Sequence, residues 1–79
     1  MITICSRDNK VLKLARSLQK KKNRYAEGLY FAEGVRMVSE ALRDAKEQIR
    51  AVLIAEEFAK KHEDFVKKID IDDELVYTV

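Results

Sequence analysis

Three short, largely apolar runs, Leu29–Ala32, Ile49–Ala55 and Leu75–Val79, alternate along the chain with three stretches of helical period. The runs have the branched and aromatic character of buried strands. In the stretches apolar residues return every three or four positions, the repeat of an amphipathic helix. The predicted order is therefore α-β-α-β-α-β. Strands that alternate with helices are joined by right-handed crossovers, so an α/β fold is expected, with a parallel sheet covered by helices on both faces. With 79 residues the pattern fits one small domain, residues 1–79. A core of that size leaves a thin stability margin.

The first helix is predicted over residues 9–19, with Val11, Leu14, Ala15 and Leu18 as its stripe and Ser6 or Asp8 as its cap. Lys10, Lys13, Arg16 and Lys20 fall in one sector beside the stripe, so one face suits a core and the other is positive. Residues 20–28 lack an apolar period and are predicted as a loop that turns at Gly28. Val35, Val38, Leu42 and Ala45 share one face of a second helix, with Arg36–Glu40 and Arg43–Glu47 as outward pairs. Phe58, His62, Phe65, Val66 and Ile69 mark a third, followed by an acidic turn at Asp70–Asp73. The chain stops on its last β-prone residue, which is expected of a fragment of a longer protein.

Charge is sorted along this framework. Residues 1–24 hold eight basic side chains against Asp8 alone, a net of +7, whereas the remainder holds eight basic and thirteen acidic ones, a net of −5. The overall +2 hides this division. The acidic body repels polyanions and the basic arm attracts them. Lys20-Lys21-Lys22-Asn23-Arg24 continues the positive helix face, a stripe suited to phosphate neutralisation. Arg24 adds a planar fork for a phosphate or a guanine edge, and Tyr25 a ring for an unpaired base. A solvated charge run and a docking arm for an acidic protein are the two other readings of the same residues. Glu33-Gly34-Val35-Arg36 sits where a strand turns into a helix, either as a phosphate-binding helix start or as an ordinary turn.

Other chemistries find little support. The longest uncharged apolar run, Ala51–Ala55, is far short of the roughly 20 residues of a membrane span, and the N-terminus lacks the pattern of a signal peptide. One cysteine and one histidine make neither a disulfide nor a structural zinc site, so a reducing, cytoplasmic setting is expected. His62 has no nucleophile placed by any signature, and Cys5 has no second cysteine. Asp70, Asp72, Asp73 and Glu74 lack the glycine and spacing of a calcium loop. No glycine-rich phosphate loop occurs, so no catalytic residue, metal site or cofactor site is assigned to the chain.

Ser6-x-x-Asn9, Lys13, Leu18, the Lys21/Lys22-x-Arg24 loop, Tyr30, Glu33-Gly34-x-Arg36 and Val38 through Ala41-Leu42 occur in that order. The ordered set resembles the N-terminal substrate-binding domain of the SpoU/TrmH family of RNA 2′-O-ribose methyltransferases. The motif resemblance covers Ser6 to Leu42, and the α/β order carries it to Val79. Lys10 stands where that family often has proline, and Tyr30 where it usually has phenylalanine. The resemblance implies a three-layer α/β/α sandwich similar to the kink-turn-binding ribosomal proteins, gripping rRNA or, second, tRNA. It also implies a separate knotted domain that binds S-adenosylmethionine, forms a homodimer and transfers the methyl group. The residues expected to meet RNA are Lys13, Arg16, Lys20, Lys21, Lys22, Arg24 and Tyr25, with Arg7, Asn9, Glu33, Gly34 and Arg36 at the neighbouring edge.

Overall fold

The last β-prone run becomes the centre of the sheet. In the computed structural model, which describes all 79 residues, Met1–Val79, strand β3 (Val76–Thr78) lies between β1 (Ile2–Thr3) and β2 (Val52–Ile54). Both pairings are parallel. Ile2 and Thr3 sit opposite Tyr77 and Thr78, and Val52, Leu53 and Ile54 opposite Val76, Tyr77 and Thr78. Parallel strands cannot be joined by tight turns, so each connection carries helices. Helices α1 (Lys10–Ser17), α2 (Lys21–Glu27) and α3 (Val35–Asp44) lie between β1 and β2, and α4 (Glu56–Lys61) and α5 (Glu63–Lys67) between β2 and β3. The result is a small mixed α/β fold of five helices and a three-stranded parallel sheet. No helix is long and apolar enough to cross a membrane.

The register explains the core. Val52 and Ile54 pair with Val76 and Thr78, so alternation puts all four on one sheet face, and all four are buried. Leu53 and Tyr77 point the other way and are half-buried. Around Val52, Ile54 and Val76 pack Val38 and Leu42 of α3, Phe58 and Ala59 of α4 and Val66 of α5, with Ile49, Ile69 and Ile71 from the connections. Leu18, the last residue of the first predicted stripe, is the one other buried residue. A buried set of five in 79 is small, so loss of any member takes a large share of the stability.

Several sequence expectations change. β1 has no counterpart in the predicted order: it is two residues long and exposed, and only a tertiary contact makes it a strand. The Ile4 N–H donates to the Thr78 carbonyl at 2.8 Å, and the Thr78 hydroxyl donates to the Thr3 hydroxyl at 3.3 Å. Leu29–Ala32, expected as a strand, has no ladder partner. A cavity of about 480 Å³ lies between it and β2, whereas pairing needs strands about 4.8 Å apart. The expected loop at residues 20–28 is mostly helix α2. The observed order is thus β-α-α-α-β-α-α-β rather than a strict α-β-α-β-α-β.

The third predicted helix is two short ones. His62, between them, leaves helical geometry at φ −128° and ψ 53°. The charges follow the break: α4 opens on Glu56 and Glu57 and closes on Lys60 and Lys61, and α5 opens on Glu63 and Asp64 and closes on Lys67. Each helix carries its own favourable dipole pattern, which one long helix would place in mid-span. His62 stacks on Phe58 with ring centroids 4.3 Å apart, and Phe65 meets Phe58 edge-on at 5.6 Å. Arg43 pairs with Asp44 at 2.9 Å rather than with Glu47, because α3 ends at Asp44. Its hydrogen bond holds the Asp44 carboxyl below the usual carboxylate range.

The thin core makes a direct test. Ile54→Ala should cost about 2 kcal/mol, the low end of the range for such truncations because the residues packed around the Val52, Ile54 and Val76 cluster are only half-buried. Urea unfolding should show a lowered midpoint, with Ile54→Val losing about 0.5–1 kcal/mol.

Candidate nucleic-acid interface

Asn9, rather than Ser6 or Asp8, starts α1. Its Oδ1 accepts from the N–H groups of Val11 at 2.8 Å and Leu12 at 3.4 Å, which satisfies two donors that every helix start leaves open. Ser6 instead accepts from the Asp8 N–H at 3.1 Å in the preceding turn. The helix then presents its two faces as its spacing requires. Val11, Leu14 and Ala15 are half-buried and Leu18 is buried, while Lys10, Lys13, Arg16 and Lys20 lie on the other side. Arg16 runs along the helix surface, with Nε donating to the Leu12 carbonyl at 3.4 Å and Nη2 donating to the Arg7 carbonyl.

The other end of α1 explains why the basic run is helical. The last carbonyls of a helix need donors, and α2 supplies them from side chains. Asn23 Nδ2 donates to the Ser17 carbonyl at 2.9 Å, and Arg24 Nη1 donates to the carbonyls of Leu18 at 2.9 Å and Gln19 at 3.4 Å. Asn23 and Arg24 reach these atoms because Lys21–Glu27 coil into a helix after an extended Lys20, at φ −94° and ψ 130°. Lys, Arg, Ala and Glu are strong helix formers. An apolar period is therefore the wrong criterion for this segment, which is held by its polar side chains.

Gly28 ends α2 in the left-handed region, φ 67° and ψ 27°, where glycine carries no steric penalty. The N–H groups of Gly28 and Leu29 both bond the Arg24 carbonyl, and the chain reverses. The reversal brings Leu29 and Tyr30 to a shallow notch of about 260 Å³ that they line with Lys21, Arg24 and Tyr25. Tyr25 and Tyr30 are 77% and 79% exposed, and Lys21 Nζ lies 5.9 Å from the centre of the Tyr25 ring. Tyr30, a position of the ordered motifs, and Asn23, inside the basic run, are not among the residues the sequence assigns to RNA contact. The signal that finds Tyr30 is a glycine-marked reversal between two tyrosines five positions apart.

The structure thus gathers Lys13, Arg16, Lys20, Lys21, Lys22, Arg24 and Tyr25 on the α1–α2 pair, with Arg7 and Asn9 at its start. Glu33, Gly34 and Arg36 are set apart. Glu33 and Gly34 line the larger cavity, across from Leu14, Ala15 and Leu18. Gly34 adopts φ 98° and ψ 153°, a conformation open essentially to glycine, so the turn into α3 requires it. Arg36 pairs with Glu40 at 3.6 Å.

The ion pairs sharpen the contrast. Those formed by side-chain cations join Arg36 to Glu40, Arg43 to Asp44, Lys46 to Asp70 and Lys60 to Glu56. None involves the eight basic side chains of residues 1–24. Their positive charge is uncompensated by ion pairs within the chain, and most of it faces solvent.

The family model described as the MRM3-like substrate binding domain matches residues 9–79. The chain belongs to that family. The MRM3-like domains are of the SpoU/TrmH RNA methyltransferase type, so the resemblance carried by the ordered motifs holds. No curated protein and no solved structure matches the chain.

Two substitutions test how this MRM3-like domain builds its basic face. Arg24→Ala removes the donors at the end of α1 and should cost about 1–2 kcal/mol, the lower part of the range for charged hydrogen bonds because Arg24 is half-buried. Gly28→Ala should cost about 1 kcal/mol through backbone conformation alone, since an added Cβ meets nothing within 4 Å. Thermal melts of both variants, with Lys22→Ala as an unchanged control, read the effect.

Proposed function

We propose that the chain is the RNA-recognition domain of an S-adenosylmethionine-dependent RNA 2′-O-ribose methyltransferase, with rRNA ahead of tRNA as its substrate. The observation that carries this reading is the set of unpaired cations on α1 and α2 in a substrate-binding domain of an RNA methyltransferase family. Phosphates attract cations that the protein leaves uncompensated. Lys13, Lys20, Lys21 and Lys22 make the phosphate contacts in this reading, and they position the RNA rather than read it. Arg16 and Arg24 have dual roles: each bonds backbone carbonyls and keeps part of its fork for a phosphate. Arg7, Asn9, Glu33, Gly34 and Arg36 border the contact. The reading extends to the fold, with the parallel sheet as the middle layer of a three-layer arrangement of the kink-turn-binding ribosomal protein type.

The methyl donor, the transfer and the dimer contact belong, in this proposal, to a second domain. The larger cavity of this chain does not fit the donor. Fourteen of its nineteen lining residues are hydrophobic, whereas a ribose and an amino-acid end need several converging polar groups.

The test is binding of the chain to a structured rRNA fragment across a salt series. Each cation that neutralises a phosphate contributes about 0.7 to 0.9 to the log–log slope. Exchange of Lys20, Lys21 and Lys22 for glutamine should therefore flatten the slope by about 2 to 3. Absence of binding at low salt, or an unchanged slope in the triple variant, overturns the assignment. Tight salt-sensitive binding to an acidic protein with none to RNA would make the arm a protein-docking element instead.

A further inference from the structure

We infer that the notch between α2 and the segment after Gly28 receives one unpaired nucleobase of the bound RNA, stacked on Tyr25 or Tyr30. The inference rests on the RNA reading above and adds to it a preference for single-stranded nucleotides. Large aromatic side chains are rarely left as open as these two, at 77% and 79% exposure. Both residues line one recess, and they are separated in sequence by the reversal at Gly28. Neither tyrosine packs against the core around Val52, Ile54 and Val76; Tyr30 borders the larger cavity as well, yet its side chain stays open to solvent.

The chemistry of the lining selects the occupant. Five residues form it: two aromatics, two cations and Leu29. No carboxylate is among them, although the chain carries fourteen. The two cations in the lining set the notch apart from the apolar cavity that shares Leu29 and Tyr30 with it, and a folded duplex keeps its bases stacked inside. A flat ring that brings its own phosphate uses every part: a tyrosine face for the base, and Lys21 and Arg24 for the anion. The notch, at about 260 Å³, falls just below the roughly 300–1,000 Å³ of sites for drug-sized molecules, which suits one ring system rather than a larger ligand. Lys21 over the Tyr25 ring at 5.9 Å already places a cation where it meets both the ring and an incoming phosphate.

The chain has three tyrosines and no tryptophan, so tyrosine emission reports the site directly, with half-buried Tyr77 as a constant background. Titration with a single-stranded heptaribonucleotide should quench this emission. A fully paired RNA duplex should bind without quenching. Tyr25→Leu and Tyr30→Leu remove the rings but keep apolar bulk at exposed positions, and circular dichroism should show an unchanged fold. At least one of them should weaken single-strand binding by about 5- to 150-fold with the salt slope intact, and Trp at the same position should restore it. Wild-type affinity in both leucine variants, beside a weakened Lys21→Gln variant, overturns the stacking site while RNA binding stands. Equal quenching by duplex and single strand also overturns it. No binding of either RNA by the wild type removes the RNA reading and this inference together.

Discussion

The structure depends on β3. Three residues near the end of the chain hydrogen-bond on one side to the first residues and on the other to the middle ones. Neither β1 nor β2 pairs with anything else. The Val79 N–H donates to the Ile54 carbonyl at 2.9 Å and the Val79 carbonyl accepts from the Glu56 N–H at 3.0 Å, so the end of β3 also fixes the start of α4. A sheet built this way cannot form from local contacts. Its first strand waits for its last, and the loop-closure entropy of nearly the whole chain opposes the union. Four buried apolar residues offset that cost, which is why the domain has little stability in reserve.

The basic face is organised by a different principle. α1 has an apolar stripe and so belongs to the packing of the domain. α2 has none, and is held to α1 by Asn23 and Arg24 reaching its open carbonyls. A helix attached by polar side chains can leave all of its lysines free. Had α2 been docked through an apolar face, part of its circumference would be covered. Here Lys20, Lys21 and Lys22 all remain exposed, and the tight reversal at Gly28 adds an aromatic border. Arg24 is therefore central to the site whether or not it touches RNA, because it orients the residues around it.

What is legible in the sequence divides along the same line. The first helix, its stripe, its positive sector and the second predicted helix follow from the helical period, and the strands at 52–54 and 76–78 from the apolar, β-prone runs Ile49–Ala55 and Leu75–Val79, because in each the apolar residues meet a packed surface. The family is legible from ordered motifs, whose spacing survives although each is degenerate. β1 and α2 are not. β1 is two residues whose strand character exists only against Thr78 and Tyr77, and α2 is stabilised by side chains that bond backwards rather than by a buried face. The segment Leu29–Ala32 shows the converse: strand propensity without a partner gives extended chain. Asn9 has the character of a contact residue in the sequence, and its oxygen proves to be the cap of α1.

The division of charge gives the two halves different tasks. Four of the eight cations beyond Arg24 pair with Glu40, Asp44, Asp70 and Glu56, and the thirteen carboxylates of that part leave it a net negative charge. The first 24 residues contribute no side-chain ion pair. A polyanion approaching the domain is thus repelled over most of it and attracted along α1 and α2, and the field alone orients the encounter before any contact forms. Such steering is screened over about 10 Å at moderate salt, so in the proposed RNA-binding role it sets which face meets the RNA but not which nucleotide. Discrimination needs short-range groups inside the steered zone. The notch lined by Tyr25, Tyr30, Lys21 and Arg24 is placed there, at the end of the basic stripe and not on the acidic body, where the same rings would meet no phosphate.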